Sequence, residues 1–157
     1  THKNRRVNDF FLRQRARTNF RVIPIGPSLK KCFVVLKNNE LLALLGDRDF
    51  STSGIRVPFF NKDALMPSGP ASFSLATGAP IVPTFMIRNT DDTFKLYFDP
   101  PIFPGTDKRD PDSIKRVMKE YLSVIEKYVR RYPSQWCMFR EVWNNGKRKN
   151  LRPDTVI

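Results

Sequence analysis

The chain has few of the residues that build metal centres and nucleophilic sites. Its 157 residues include one histidine and two cysteines. Cys32 and Cys137 are too few and too far apart for a disulfide framework or a zinc cluster, and no His pair or acidic run resembles a zinc or calcium site. We therefore expect no metal, and we interpret both cysteines as reduced core residues, as is typical of cytoplasmic proteins.

A catalytic imidazole is equally hard to place. The one histidine, His2, lies beside the first residue, where no predicted element would hold it against a third group. The glycines form no phosphate cradle, because GDRDFSTSG at residues 46–54 lacks the Walker A lysine and the Rossmann spacing. The sequence thus gives no support for a histidine-dependent triad or a nucleotide-binding loop.

Long hydrophobic runs are absent as well. The longest apolar stretches cover residues 32–36 and 41–45, far short of the roughly 20 residues that span a bilayer. The basic N-terminal segment is not followed by the apolar core of a signal peptide. Because the first residue is Thr rather than Met, we expect a processed chain or a fragment.

Positive charge, by contrast, is abundant. Lys and Arg total 28 against 15 Asp and Glu, a net charge of +13. Such a surplus favours an anionic partner, such as nucleic acid, phospholipid headgroups, or an acidic substrate or carrier. No zinc-finger, RRM or KH pattern is present, and anionic lipid headgroups explain the charge at least as well as nucleic acid.

The order of predicted elements indicates a single α/β domain over residues 1–157, with a mixed sheet flanked by helices. Residues 8–18 are predicted as a basic helix and 21–28 as a short strand. A helix capped by Ser28 is predicted to run to Asn38, followed by a buried strand over 40–46. A loop over 46–60 precedes a helix that Ser68 caps and Gly78 ends.

The second half carries the clearest helix. We predict strands over residues 79–88 and 94–98, joined by a turn at Asp91-Asp92. Asp110 and Pro111 begin a helix whose apolar spacing continues through Arg131. The aromatic segment 133–143 is expected to pack, and 144–157 is interpreted as a basic, flexible tail.

Several linked blocks in the central segment are informative. An apolar run leads to GDRD at 46–49, followed by Gly54, PFF at 58–60, PSGPA at 67–71 and TGAPIVP at 77–83. LRQRARTN lies upstream and YPSQWCMFREVW downstream. In this order the blocks resemble the lysophospholipid acyltransferase superfamily, most closely its bacterial lipid A lauroyl/myristoyl acyltransferase branch. The phosphatidylinositol mannoside acyltransferases look nearly as similar.

The resemblance implies a glycerolipid-acyltransferase-like α/β domain that is incomplete. The family's reaction depends on a His-x4-Asp/Glu block N-terminal to its Arg-rich helix, and His2 is followed five residues later by Val7 instead of an acid. The chain therefore looks like the C-terminal portion of an acyltransferase, without a catalytic base of its own. A truncated chain, a fragment and a degenerate homologue all fit.

By resemblance, the parent enzyme would transfer a fatty acyl group from acyl-carrier protein or acyl-CoA to a hydroxyl of an anionic glycolipid such as a lipid A precursor. No cofactor or metal is implied. Arg15 and Arg17 would hold phosphate groups, and Asp47 and Asp49, which flank Arg48, would shape the acceptor site or anchor an arginine. The protein would work at the cytoplasmic face of the bacterial inner membrane, either peripherally or through an anchor.

A second interpretation belongs to a different class. A non-enzymatic basic α/β module that docks on anionic membrane or nucleic acid would explain the charge and the missing histidine block. It would not explain the ordered central blocks. The sequence therefore favours the acyltransferase, with an anionic lipid, an acyl carrier and a membrane surface as partners and no nucleic acid.

Overall fold

The computed structural model describes residues 4–18, 20–24, 29–48, 54–105, 110–139 and 142–143. Contacts between residues divide the chain into two compact units, 1–43 and 44–157, and each is described by itself. His2, Ser28, Asp49 and the predicted tail 144–157 lie outside the described residues. The elements of the first unit are α1 (Arg5–Arg17) and α2 (Lys30–Lys37); those of the second are β1 (Ile55–Phe59), β2 (Lys62–Met66), α3 (Gly69–Thr77), β3 (Thr84–Arg88), β4 (Phe94–Phe98), α4 (Pro111–Arg131) and a 3-10 turn (Pro133–Gln135).

The first unit confirms the basic helix. α1 begins after Asn4, whose side chain accepts hydrogen bonds from the backbone N–H groups of Arg6 and Val7 at 3.0 and 3.4 Å. No residue of α1 is buried. In α2, Cys32 is buried as predicted. Phe33, Val35 and Leu36 on the same side are partly buried, whereas Leu29 is 45% exposed.

Two predicted strands are not formed. Residues 20–24 and 40–46 have no strand pairing among the described residues, so the predictions over 40–46 and the described part of 21–28 are wrong. Apolar runs become strands only where another strand offers its backbone hydrogen-bonding groups. Without one, Leu41 and Leu45 stand 100% and 65% exposed.

The core of the second unit is built around α4, which confirms the predicted helix. Asp110 caps it by accepting the Ser113 N–H at 2.8 Å, and Pro111 takes the first helical position. The Tyr121 hydroxyl donates to the Pro67 carbonyl at 2.5 Å. The most deeply buried apolar side chains of the helix recur at helical spacing: Val117, Met118, Tyr121, Leu122 and Ile125.

The hairpin β1–β2 lies where a loop was predicted. Pro58 has no backbone N–H to donate, which disfavours it inside a sheet, but in a two-stranded hairpin each strand has a free edge that tolerates proline. Phe60 and Asn61 make the turn with φ of 52° and 59°, the left-handed geometry of a tight hairpin. Alternate residues, beginning with Val57 and Phe59, enter the core.

The predicted helix over 69–77 is confirmed. Gly78 ends it with φ of 76°, and its N–H donates to the Ser74 carbonyl at 2.8 Å. Ser68 occupies the cap position without a side-chain capping bond. The hydroxyl of buried Ser74 donates to the Ala79 carbonyl at 2.6 Å, which fixes the exit of the chain towards the next hairpin.

The hairpin β3–β4 follows the predicted strands, with β3 shortened to its second half and Asp91 and Asp92 in the turn. Its inner face packs on α4, where the Phe85 and Tyr128 rings stack with centroids 3.8 Å apart. Its outer face is apolar and exposed, as shown by Leu96 at 52% and Phe98 at 66%.

The α/β class is thus confirmed, with the strand content present as two separate two-stranded antiparallel hairpins among the described residues. The single-domain boundary stays a prediction. Within the part of the chain that the structure describes, no helix combines the length and hydropathy of a membrane span.

Candidate functional site

The second unit brings two of the predicted site residues into direct contact. The Arg48 guanidinium donates to the Asp47 carboxylate through Nε at 3.0 Å and through Nη2 at 2.7 Å. The side chains are 19% and 31% exposed for Asp47 and Arg48 respectively. This is the two-pronged arginine–carboxylate geometry that fixes both the position and the plane of a guanidinium.

The pair is held from a distant part of the chain. The Trp136 indole Nε1–H donates to Asp47 Oδ2 at 3.1 Å, although 89 residues separate the two. Trp136 follows the 3-10 turn after α4. Both carboxylate oxygens of Asp47 are therefore occupied by donors, and its role is to orient its neighbours.

An aromatic cluster supports this arrangement. The Trp136 ring lies 5.9 Å from Phe59 and 6.3 Å from Phe60, centroid to centroid, and 6.4 Å from Trp143. The Trp143 Nε1–H donates to the Phe59 carbonyl at 2.8 Å, which satisfies a backbone acceptor of the fully buried residue. The prediction that segment 133–143 packs is confirmed for its two tryptophans, but Phe139 is 92% exposed.

Asp47 remains ionised at neutral pH. Burial raises the pKa of its carboxyl group, but the hydrogen bonds and charge of Arg48, together with the Trp136 hydrogen bond, outweigh burial and hold that pKa below its usual value. A carboxylate with a lowered pKa is a weak base, so Asp47 is suited to anchoring a cation and poorly suited to removing a proton from a hydroxyl group.

Arg48 keeps one donor group available. Asp47 occupies Nε and Nη2, whereas Nη1 has no hydrogen-bond partner among the described residues. With nearly a third of the side chain exposed, this group can meet a ligand without leaving its anchor. A fixed guanidinium with a free Nη1 is a receptor for one oxygen of a phosphate or carboxylate.

The two predicted arginines of the first unit lie on different sides of α1. The Arg15 guanidinium sits 5.8 Å from the centre of the Phe11 ring. Arg17 borders a shallow depression of about 340 Å³ with Arg6, Phe10, Arg13 and Gln14. The structure therefore places Arg15 and Arg17 on different sides of α1, and their role in holding phosphate groups stays a prediction.

The remaining predicted residues have mixed outcomes. Asp49 and His2 lie outside the described residues. Cys137 is exposed, so the prediction that it is a core residue is wrong. Within the described ranges, no group of three or more His, Cys, Asp or Glu side chains could hold a metal ion.

A second polar cluster joins the β3–β4 hairpin to α4. Lys127 Nζ lies 3.1 Å from Asp99 Oδ1. Interaction with the Asp99 carboxylate raises the pKa of Tyr128 to about 12, and Tyr128 is also stacked on Phe85. These contacts tie the end of β4 to the helix, and we interpret them as structural.

Trp136 is the site residue that the sequence analysis missed. Its segment was recognised only as aromatic and packed, because the sequence distance to Asp47 conceals the contact. One signal could have found it. Trp136 lies in the YPSQW block, and this block and the GDRD block both belong to the pattern that resembles the acyltransferase family.

Comparison with known proteins now adds an independent observation. Residues 1–145 match the family described as bacterial lipid A biosynthesis acyltransferase. The chain belongs to this family. The matched residues include α1 in the first unit and, in the second, the Asp47–Arg48 pair and both tryptophans.

Two proteins similar to this chain come from mycobacteria. Over 151 residues the chain is 26% identical to phosphatidylinositol mannoside acyltransferase of Mycobacterium tuberculosis (strain CDC 1551 / Oshkosh). The aligned region covers 90% of this chain and 46% of the relative. The chain is also 26% identical over 137 residues to the protein of that name from Mycolicibacterium smegmatis, covering 85% and 43%. The chain thus spans slightly less than half the length of these relatives.

Proposed function

We propose that this chain is the acceptor-binding portion of an enzyme that transfers a fatty acyl group to a hydroxyl of an anionic lipid or glycolipid. The family description and the names of the relatives support lipid acyl transfer. The observation that carries the assignment of a site is Arg48, which Asp47 holds in a fixed plane with Nη1 available to a ligand.

The reaction would join an acceptor oxygen to a thioester carbonyl carbon. The acceptor hydroxyl loses its proton to a base as the C–O bond forms and the C–S bond breaks, and the departing thiolate of acyl-carrier protein or acyl-CoA takes up a proton. The thioester is reactive enough that no metal or cofactor is required. The family resemblance assigns the base to a His-x4-Asp/Glu block, and Asp47 with its lowered pKa is not that base.

Arg48 would bind the acceptor through a phosphate oxygen. A lipid A precursor and a phosphatidylinositol mannoside both carry phosphate beside a sugar, and the comparisons support both classes. The Nη1 group offers a charge-assisted hydrogen bond at any physiological pH, and Trp136 holds its anchor in place. Asp49 would help to shape the acceptor site, while Arg15 and Arg17 would contact lipid phosphates.

The location follows from these partners. An anionic lipid acceptor and an acidic acyl carrier would both be attracted by a chain of net charge +13. We propose that the protein acts at the cytoplasmic face of the bacterial inner membrane. By itself the chain would bind acceptor without transferring an acyl group.

Binding of a short-chain, monomeric phosphatidylinositol to the 157-residue chain tests this assignment by calorimetry. We expect Arg48→Gln to weaken binding by about 10- to 100-fold, since it removes a charge-assisted hydrogen bond. Arg56→Gln is the matched control, because Arg56 is an exposed arginine of β1 that changes the net charge equally. Equal losses in both variants would refute a site at Arg48. Transfer from an acyl thioester by the chain alone would refute the assignment of the base elsewhere.

A further inference from the structure

The helix α1 carries apolar side chains that are partly exposed. Val7, Phe10 and Phe11 follow the spacing i, i+3 and i+4, which places them on one side of a helix. Their side chains are 39%, 56% and 39% exposed, and no residue of α1 is buried. A 13-residue helix is marginal in water unless an amphipathic face packs against something, so this surface is suited to a partner.

Arginines border the apolar surface on both sides. At 100° per residue, Arg6 and Arg17 fall along one margin of the arc formed by Val7, Phe10 and Phe11, and Arg15 falls along the other. Gln14 is the one polar residue of α1 within this arc. Among the described residues, Arg6 and Arg17 have no ion-pair partner, and the single acidic residue of α1 lies 4.0 Å from Arg5. The margins are therefore free to meet negative charge.

We propose that α1 lies in the headgroup plane of an anionic bilayer, with Val7, Phe10 and Phe11 entering the boundary of the acyl chains and Arg6, Arg17 and Arg15 contacting lipid phosphates on both sides. An apolar arc with cationic margins is the pattern of an interfacial helix, and long arginine side chains reach from such a position to the headgroups. The inference rests on the proposed function for its anionic lipid. It names the element that meets the membrane.

Charge and apolarity together favour a bilayer over the other anionic partners. The phosphates of a nucleic acid would satisfy the arginines but would leave the apolar arc between them in water. Free phosphate would likewise leave Phe10 exposed. A bilayer of zwitterionic lipid would accept the apolar side chains, but it carries no net negative charge to attract the arginines.

Sedimentation with vesicles tests the charged margins. The 157-residue chain is mixed with phosphatidylcholine vesicles containing or lacking a quarter phosphatidylglycerol, without acyl donor. Each arginine near an anionic surface is worth about a fivefold change in affinity, so Arg6→Gln/Arg17→Gln should weaken binding to the anionic vesicles by about 25-fold. The control Arg56→Gln/Lys62→Gln removes the same charge from the exposed surface of β1 and β2 and should change binding less than about threefold. Equal losses in the two pairs would mean that binding follows net charge alone, and would overturn the proposal.

Insertion is tested on the apolar arc. Phe10→Ala should weaken vesicle binding by about tenfold, whereas Phe98→Ala, on the exposed outer face of β3–β4, should have no effect. Phe10→Trp should be quenched by vesicles whose acyl chains carry bromine, beyond the quenching that wild-type Trp136 and Trp143 show. Loss with Phe98→Ala alone, or absence of additional quenching, would overturn the proposal.

Two competition experiments separate the sources of phosphate. Release of the chain from vesicles by millimolar inorganic phosphate, or by RNA at lower concentration than the lipid, would overturn the bilayer assignment. Because these measurements contain no thioester, their outcome does not depend on acyl transfer. Vesicle binding that depends on Arg6, Phe10 and Arg17, together with phosphatidylinositol binding that Arg48→Gln and Arg56→Gln weaken equally, would refute only the proposed function. Phosphatidylinositol binding that depends on Arg48, together with vesicle binding that does not depend on Arg6, Phe10 or Arg17, would refute only this inference.

Discussion

Asp47→Asn is the substitution that tests the architecture of the site most directly. It removes the negative charge that Arg48 contacts through two hydrogen bonds at 3.0 and 2.7 Å, while the remaining amide oxygen can still accept from Trp136. A hydrogen bond to a charged group contributes about 1.5–3 kcal/mol. Since the Arg48 side chain is nearly one-third exposed, solvent screening reduces the loss, and we expect the free energy of unfolding to fall by about 1–2 kcal/mol.

Urea unfolding followed by tryptophan fluorescence measures this change. The carboxyl pKa of Asp47 is lowered in the folded chain, so its stabilisation is complete above the unfolded value of about 3.9 and is lost as the pH falls through the folded value. Wild type and Asp47→Asn should therefore differ equally at pH 7 and pH 5. The difference should shrink as the pH falls below the unfolded value of about 3.9, because the unfolded chain takes up a proton there before the folded Asp47 does.

The matched control is Asp63→Asn on exposed β2, which should change the free energy of unfolding by less than about 0.5 kcal/mol. A cost for Asp47→Asn no larger than that of the control would refute the anchoring role. A cost that stayed constant down to pH 3.5 would show that it arises from packing and not from the charge of the carboxylate.

Two further substitutions test the packing that supports the site. Met118→Ala opens a cavity at a fully buried position of α4 and should lower the free energy of unfolding by about 2–5 kcal/mol. The control Met86→Ala, at a position 65% exposed, should change the free energy of unfolding by less than about 0.5 kcal/mol in the same urea assay. Similar losses in the two variants would place the core elsewhere. Gly78→Ala should cost about 1–2 kcal/mol because φ is 76° there. An added Cβ at Gly78 meets nothing within 4 Å, so backbone strain is the only cause of the expected loss. The control is Gly69→Ala, where φ is not positive. An equal loss of stability in both variants on thermal unfolding would contradict the strain at Gly78.

Some elements could be predicted because their signals are local. The Asp110-Pro111 start and the apolar spacing of α4 lie within one continuous segment, as does the stop at Gly78. The β1–β2 hairpin was missed for a reason that is also local: Pro58 and a turn made by Phe60 and Asn61, without glycine, do not resemble a hairpin until a partner strand is present.

The apolar runs show why burial is harder to predict than apolarity. Leu41 and Leu45 belong to one of the longest apolar stretches, yet both are exposed in the described structure. Strand residues Leu96 and Phe98 are likewise exposed, because the hairpin turns its other face to α4. A sequence shows which side chains favour burial, but packing decides which of them obtain a neighbour.

By itself, the sequence determined the family blocks, the surplus of basic residues, the α/β class and the two helices with clear caps. These depend on residue types and short spacings, which are properties of the chain in any conformation. The tertiary structure alone decided that Trp136 donates to Asp47 across 89 residues, that Asp47 leaves Nη1 of Arg48 available, and that Arg15 and Arg17 face apart. Distance along the chain carries no information about such contacts, because the packing of α4 and the aromatic cluster brings their atoms together.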